Sequence, residues 1–242
     1  MKSYFFWLLF GMLTLCPLWG WAQNNCVTCH QGLAPSVNRA HDFDEWRKST
    51  HAQQGVNCEK CHGGNPTETD LKKAHEGIVK SNQSKSPLYF SRIPETCGKC
   101  HAAELDEFKK SYHYRELKRS GHGPNCITCH GSMATSIPKA KQLEQNCSLC
   151  HAQRQIASEA LVTLNLAGSS LEIWEKTLQE AKTVGVASAE QEKGLLAQKK
   201  AYAEVQRKWH SFNLTEVVEK SREIVGVAKQ GTQDLRLKKG VK

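Results

Sequence analysis

The spacing of apolar residues divides the chain into two parts with different patterns. In residues 153–242, apolar side chains recur at helical intervals: Trp174, Leu178 and Ala181 share one face. A second series follows at intervals of seven, three, four and three residues and consists of Leu195, Tyr202, Val205, Trp209 and Phe212. This periodicity predicts two or three long amphipathic helices, packed against the preceding part of the chain or against another subunit.

Two capping patterns indicate where these helices begin. Ser188 is followed three residues later by Gln191, as in a capping box. Asn213 with Glu216 is a looser version of the same signal. The tail after Gly231 is basic, and we predict that it frays.

Residues 23–152 have neither long apolar periodic runs nor the alternation that is typical of strands. Turn signals interrupt this part at Asn65-Pro66, Ser86-Pro87, Gly123-Pro124 and Ile137-Pro138. We therefore predict a mainly α protein in which short helices and loops precede the long C-terminal helices.

The first 22 residues have the pattern of a secretory signal peptide. Lys2 provides the positive start, an apolar run extends over residues 5–18, and Gly20-Trp21-Ala22 offers a cleavage site between small residues. We expect the folded protein to be periplasmic or otherwise exported. Membrane association is expected only if this segment stays uncleaved, since its apolar run is close to spanning length.

All ten cysteines after the signal segment belong to five CxxCH units. Disulfides are the ordinary expectation for an even number of cysteines in an exported protein, and paired CxxC units can also bind zinc. Neither alternative explains a histidine directly after every second cysteine, whereas c-type haem attachment requires it. We predict five covalently attached haem c groups, held by Cys26, Cys29, Cys58, Cys61, Cys97, Cys100, Cys126, Cys129, Cys147 and Cys150. Residues 23–152 are then a haem-binding region in which the cofactors form much of the core.

The formal charge of +9 is compatible with a nucleic-acid-binding protein. We expect no nucleic-acid partner, because the propionate carboxylates of several haems would offset most of this excess. Many lysines are better interpreted as propionate partners or as solvated surface residues.

Each CxxCH unit also supplies one iron ligand, and the group on the opposite face of the haem decides the chemistry. The five ligands are His30, His62, His101, His130 and His151. A second strong ligand closes an iron to substrate. Six further histidines are available, and Met133 is the only methionine after the signal segment. We therefore predict bis-histidine haems of comparatively low potential.

The six histidines differ in how well their surroundings suit a ligand. His51 and His113 occupy equivalent places in an internal repeat, in WRKSTH and FKKSYH. His75 lies in LKKAHEGI, and His210 is the only histidine of the C-terminal helices. His122 is absent from the repeated element but is kept as a fifth ligand, with a solvent-exposed or propionate-bonded histidine as the alternative. His41 is the weakest candidate and is not assigned a role.

The succession of motifs resembles a known group of proteins. In order these are CVTCH, EWRKSTHA, GVNCEKCHGGNP, KKAHEGI, IPETCGKCH, FKKSYH and NCITCHGS. Over Asn24 to Ala152, the chain is similar to multihaem cytochromes c of the hydroxylamine oxidoreductase and ammonia-forming nitrite reductase superfamily. The resemblance implies closely stacked haems, alternately parallel and perpendicular, with distal ligands at His51, His75 and His113.

Two departures from that superfamily bear on function. The chain has no CxxCK motif, which typically opens the catalytic iron of the nitrite reductases, and it is far shorter than the catalytic members. We therefore expect an exported pentahaem electron-transfer protein without catalytic side chains, in an anaerobic respiratory chain. The resemblance implies a quinol-oxidising membrane cytochrome and a terminal reductase as partners.

Two alternatives remain open at this point. One is a small reductase of nitrite, hydroxylamine or a sulfur oxyanion with one open haem iron. The other is a non-catalytic subunit of a larger multihaem complex, with the C-terminal helices as its contact to an oligomer or partner.

Overall fold

The computed structural model describes residues 24–33, 43–152 and 155–240, so the predicted signal segment and His41 lie outside the described residues. These three ranges contain helices and loops and no strand, which confirms the mainly α prediction. The helices are α1 (Asn25–His30), α2 (Phe43–Lys48), α3 (Thr50–Gln53), α4 (Cys58–His62), α5 (Leu71–Ala74), α6 (Ile93–Cys97), α7 (Ala102–Lys110), α8 (Tyr112–Ser120), α9 (Cys126–His130), α10 (Ala140–Ser148), α11 (Gln155–Thr183), α12 (Ala189–Lys208) and α13 (Leu214–Gly240). Short 3-10 turns occupy Phe90–Arg92 and Trp209–Ser211.

Three of the five CxxCH motifs are themselves one-turn helices, α1, α4 and α9. An asparagine caps two of them: Asn24 accepts a hydrogen bond from the backbone N–H of Val27, and Asn125 accepts one from Ile127. Helices α4 and α9 end at Gly63 and Gly131, whose φ angles of 77° and 79° favour glycine. Helix α1 thus has a side-chain cap, α4 has a terminal glycine and α9 has both, and all three are about as long as the motif.

The long C-terminal helices α11, α12 and α13 pack together as a three-helix bundle. Ser188 and Gln191 form the predicted capping box at the start of α12, which is confirmed. Among the described residues, no helix is long and apolar enough to cross a membrane. The bundle core consists of Ala160, Leu164, Ala167, Leu171, Trp174, Leu178, Ala181, Leu195, Val205, Val217, Val218, Ile224, Val225, Ala228 and Leu235.

The prediction that the tail frays after Gly231 is wrong. Helix α13 continues to Gly240, and Leu235 within this stretch has no solvent exposure. Lys239 forms an ion pair with Glu180 of α11. Of the two leucines in this stretch, Leu235 is buried in the bundle core and Leu237 is exposed, so one buried leucine and one ion pair accompany the basic residues of the tail.

The bundle also packs against the preceding region of the chain. Leu143 of α10 forms a small buried cluster with Ala157 and Leu161 of α11. The 3-10 turn at Trp209–Ser211 lies against α7, and the ring of Phe212 lies 6.3 Å from that of Phe108. Of the two surfaces expected to receive the C-terminal helices, the structure shows the one within the same chain.

The described residues up to Ala152 have a sparse apolar core of their own. Their buried hydrophobic side chains are Ile93, Phe108, Leu117 and Leu143, whereas the bundle buries many more. A chain segment of this length ordinarily buries a larger apolar core. This sparse apolar core distinguishes the region from the C-terminal bundle.

Two glycines of α13 offer a matched test of the bundle. An added Cβ at Gly231 would overlap with the buried indole of Trp174, whereas one at Gly226 would meet no atom within 4 Å. We expect Gly231→Ala to lower the stability of the bundle, since overpacking costs about 1–3 kcal/mol. Gly226→Ala should raise it, because alanine is favoured over glycine inside a helix by ~1 kcal/mol. Thermal unfolding followed by far-ultraviolet circular dichroism measures both, and equal effects of the two variants would contradict this packing.

Candidate haem-attachment and axial-ligand sites

We number the five CxxCH motifs as sites 1 to 5 in chain order. At four of them, the structure places a second histidine ring opposite the histidine of the motif. The distances between ring centroids are 6.1 Å at sites 1 and 3, 6.2 Å at site 4 and 5.8 Å at site 5. The pairs are His30 with His75, His101 with His51, His130 with His210, and His151 with His113.

These distances suit one metal ion between two imidazoles. A histidine nitrogen binds a first-row metal at about 2 Å, so two rings on opposite sides of one ion have centroids roughly 6 Å apart. The residues at four of the five sites therefore fit a haem iron with two axial histidines.

The repeated serine explains how His51 and His113 are placed. Ser49 accepts a hydrogen bond from the backbone N–H of Ala52 and caps α3, and Ser111 caps α8 through the N–H of Tyr114. Each histidine is the second residue of its helix. The S-x-H pattern thus sets a helix start and projects a histidine from the first turn.

His75 is held at the opposite end of a short helix. It follows the last residue of α5, and its Nδ1 lies 2.7 Å from the carbonyl oxygen of Leu71. An Nδ1–H that donates to this carbonyl leaves Nε2 as the atom available to a metal ion. His30 of site 1 faces this ring at an interplanar angle of 45°.

The C-terminal bundle delivers His210 to site 4. This histidine lies in the 3-10 turn between α12 and α13, with Nδ1 3.1 Å from the carbonyl oxygen of Arg207. Its ring is nearly parallel to that of His130, at 16°. His130 is fixed in turn by the carbonyl oxygen of Ser136, 2.9 Å from its Nδ1. Both rings therefore direct Nδ1 towards a backbone acceptor and keep Nε2 for the space between them.

Burial keeps several of these rings in the form that binds metals. Burial is the main reason why the pKa values of His51, His113 and His210 are lowered. Burial penalises the charged imidazolium, and the neutral imidazole that it favours has a free lone pair. The Nδ1 of His113 is also buried without a hydrogen-bond partner among the described residues. Such a buried, unpartnered nitrogen suits a site that receives another group.

Phe212 supports the ring of His113 from the side. The two rings meet edge to face, with centroids 4.3 Å apart and an interplanar angle of 86°. Phe212 has a φ of 59°, a left-handed conformation that is uncommon outside glycine. The segment from Trp209 to Phe212 therefore contributes a histidine to site 4 and a packing contact to site 5. The sequence alone did not indicate this second contact.

Two predicted site residues remain outside the four pairs. His62 of site 2 ends α4, and its partner is not among these pairs. Within the described part of the chain, no ring contact joins His122 to a CxxCH histidine. His122 is exposed after Gly121, whose left-handed conformation ends α8. The prediction that His122 is a ligand gains no support from this placement.

The cysteines show which sites are neighbours. Burial and then the thiol of Cys26 raise the pKa of Cys58 to about 11. The influence of Cys26 on Cys58 indicates that sites 1 and 2 lie close together. The pKa of Cys61 is raised by burial and then by Cys97 and Cys100 of site 3.

The same holds for the second half of the series. A hydrogen bond with Cys126 raises the pKa of Cys97 and links sites 3 and 4. Burial and then Cys147 of site 5 raise the pKa of Cys129 of site 4 to about 11. Neighbouring sites in the chain are therefore also neighbours in space.

Disulfides and zinc sites are the two alternatives to haem attachment. None of the ten cysteines among the described residues forms a disulfide with another. In the ranges that the structure describes, no group of three or more His, Cys, Asp or Glu side chains is arranged to hold a bare metal ion, as a zinc site would require.

Two comparisons with known proteins found similarities to c-type cytochromes. The family model described as cytochrome c552 matches residues 34–122, which include sites 2 and 3. The chain is also 24% identical over 126 residues to the C-type polyheme cytochrome OmcC of Geobacter sulfurreducens. That match covers 52% of this chain and 14% of the relative, so the chain spans only a small part of the length of OmcC. No solved structure matches the chain.

These findings support a multihaem c-type cytochrome. A c-type cytochrome carries covalently bound haem, and the cysteines needed to attach it are present in the CxxCH motifs. In such a protein, the paired histidines have a clear purpose, since the axial ligands set both the spin state and the accessibility of the iron.

Replacing His210 or His122 by alanine tests the pairing. We expect His210→Ala to convert one iron to the high-spin state while all haems stay attached, because the thioether cysteines are unchanged. His122→Ala reports on site 2 instead: one iron should become high-spin if His122 is the ligand there, and every iron should stay low-spin if His41 is. Absorption and electron paramagnetic resonance spectra of the oxidised proteins report both outcomes. A wholly low-spin His210→Ala would contradict the pairing.

Proposed function

We propose that this protein is an exported pentahaem electron carrier whose irons are closed to substrate by two histidines each. The opposed histidine rings at four sites are the observation that carries this proposal. Closed irons exchange electrons without binding a substrate, and no side chain then has to act as acid, base or nucleophile.

The proposed axial ligands follow the ring pairs. His75 serves site 1, His51 serves site 3, His210 serves site 4 and His113 serves site 5. For site 2, the two histidines outside these pairs are His122 and His41, which lies outside the described residues. Six histidines are thus enough for five sites, as the sequence predicts.

The order of the five sites supports electron transfer along a single path. When bound, haem supplies a one-electron couple between the ferric and ferrous states of its iron. The chain contributes the spacing between sites, since the cysteines of sites 1 and 2, 2 and 3, 3 and 4, and 4 and 5 lie within electrostatic reach of each other. Sites 1 and 5 are then the two ends of the path.

The proposed setting is an anaerobic respiratory chain outside the cytoplasm. A signal segment at residues 1–22 and the superfamily resemblance support it. The proposed partners are a membrane cytochrome that oxidises quinol and a terminal reductase, one docking near each end of the path. Contacts of the bundle with the haem-binding region suggest that the C-terminal helices serve this fold, since they supply His210.

The electron-carrier proposal and the alternative of a reductase with one open iron predict different behaviour of the holoprotein. We expect the protein to contain five haems per chain by pyridine haemochrome assay and to be reduced and reoxidised at all of them. The reduced protein should not turn over nitrite, hydroxylamine or sulfite, and cyanide should leave the spectrum of the oxidised protein unchanged, because closed irons have no free coordination position. Substrate turnover with a cyanide-sensitive high-spin iron would overturn the electron-carrier proposal in favour of the reductase.

A further inference from the structure

The loop between α9 and α10 folds back onto the attachment helix of site 4. Gly131 ends α9, and the backbone N–H of Ser136 donates a hydrogen bond to the carbonyl oxygen of His130 at 3.0 Å. The carbonyl oxygen of Ser136 lies 2.9 Å from Nδ1 of the same histidine. The backbone of Ser136 therefore forms hydrogen bonds with both the main chain and the ring of His130.

The residue before Ser136 contacts a histidine of a different site. The Oγ1 of Thr135 lies 2.8 Å from Nδ1 of His51, a residue 84 positions away in the chain. His51 faces His101 at site 3. Two consecutive residues thus hold one histidine ring at each of two neighbouring sites.

The direction of the Thr135 hydrogen bond follows from the role of His51. A neutral imidazole carries its hydrogen on one nitrogen and a lone pair on the other. If Nε2 binds the iron, Nδ1 carries the hydrogen and donates it to the hydroxyl oxygen of Thr135. Such a bond fixes the orientation of the ring and makes the ligand a better electron donor to the metal. A better donor favours the ferric state and lowers the reduction potential.

We propose that Thr135 and Ser136 form a clamp across sites 3 and 4, in which Thr135 is a positioning residue that lowers the reduction potential at site 3 through His51. This proposal rests on the proposed function, because it requires His51 to be an axial ligand. It adds a residue that none of the sequence motifs contains and a physical link between two neighbouring redox sites.

Thr135→Val is the central variant, because valine keeps the shape of threonine and removes only the hydroxyl. We expect one of the five reduction potentials of the holoprotein to rise, so that the reduced-to-oxidised ratio at that site increases by up to roughly fivefold at a fixed applied potential, the equivalent of one neutral hydrogen bond. Thr135→Ser restores a hydroxyl and should return the potential towards its original value. Spectroelectrochemical titration of all five haems provides the measurement.

Two control variants separate this proposal from the proposed function. Ser136→Ala keeps the backbone carbonyl that holds His130, so we expect all five potentials to stay unchanged. His51→Ala should make one iron high-spin, and the titration component that it alters identifies site 3. If Thr135→Val does not accumulate with its haems, Thr135→Ala removes the same hydroxyl.

Three outcomes are decisive. A raised potential at site 3 alone, reversed in Thr135→Ser, supports the clamp. Unchanged potentials in Thr135→Val, with a high-spin iron in His51→Ala, overturn the clamp and leave the proposed function standing. A wholly low-spin His51→Ala overturns the ligand assignment at site 3 and the clamp with it.

Discussion

The structure depends on one repeated arrangement, two histidine rings that face each other at a distance suited to a single iron. One ring of each pair is fixed by its covalent motif, since it directly follows the second attachment cysteine. The other ring must come from a distant part of the fold. Short helices α3, α5 and α8 and the turn at Trp209–Ser211 provide these second rings. Much of the fold outside the CxxCH motifs can be understood as a means of delivering them.

The C-terminal bundle also helps to place a second histidine ring at a site. Its helices bury a conventional apolar core, whereas the haem-binding region has few buried hydrophobic side chains of its own. The bundle therefore has a packed core that can support His210 and Phe212 against sites 4 and 5. Rigid support matters for an electron carrier, because an axial ligand that is held in place limits reorganisation when the iron changes its oxidation state.

The features that could be predicted from the sequence are those contained within a short stretch of the chain. The capping box at Ser188 and the long apolar periods are each contained within a few helical turns, so the mainly α fold could be predicted. The CxxCH motifs are equally local, and the attachment residues that they indicate stay a prediction. The S-x-H repeat singled out His51 and His113 for the same reason. The contact between Thr135 and His51 could not be predicted, because it joins residues 84 positions apart without any shared motif. The docking of the basic tail involves the burial of Leu235 and the ion pair of Lys239 with Glu180, whereas the basic composition led to the expectation of a frayed tail.

The axial ligation of the irons in the unmodified holoprotein provides the most direct test of the histidine pairs. Near-infrared magnetic circular dichroism of the oxidised protein distinguishes bis-histidine, histidine–methionine and high-spin haems by the position of their charge-transfer bands. Quantified against the total haem content, the spectrum should consist of bis-histidine haem alone. A high-spin or histidine–methionine component that amounts to one haem per chain would contradict the claim that histidine pairs close every site.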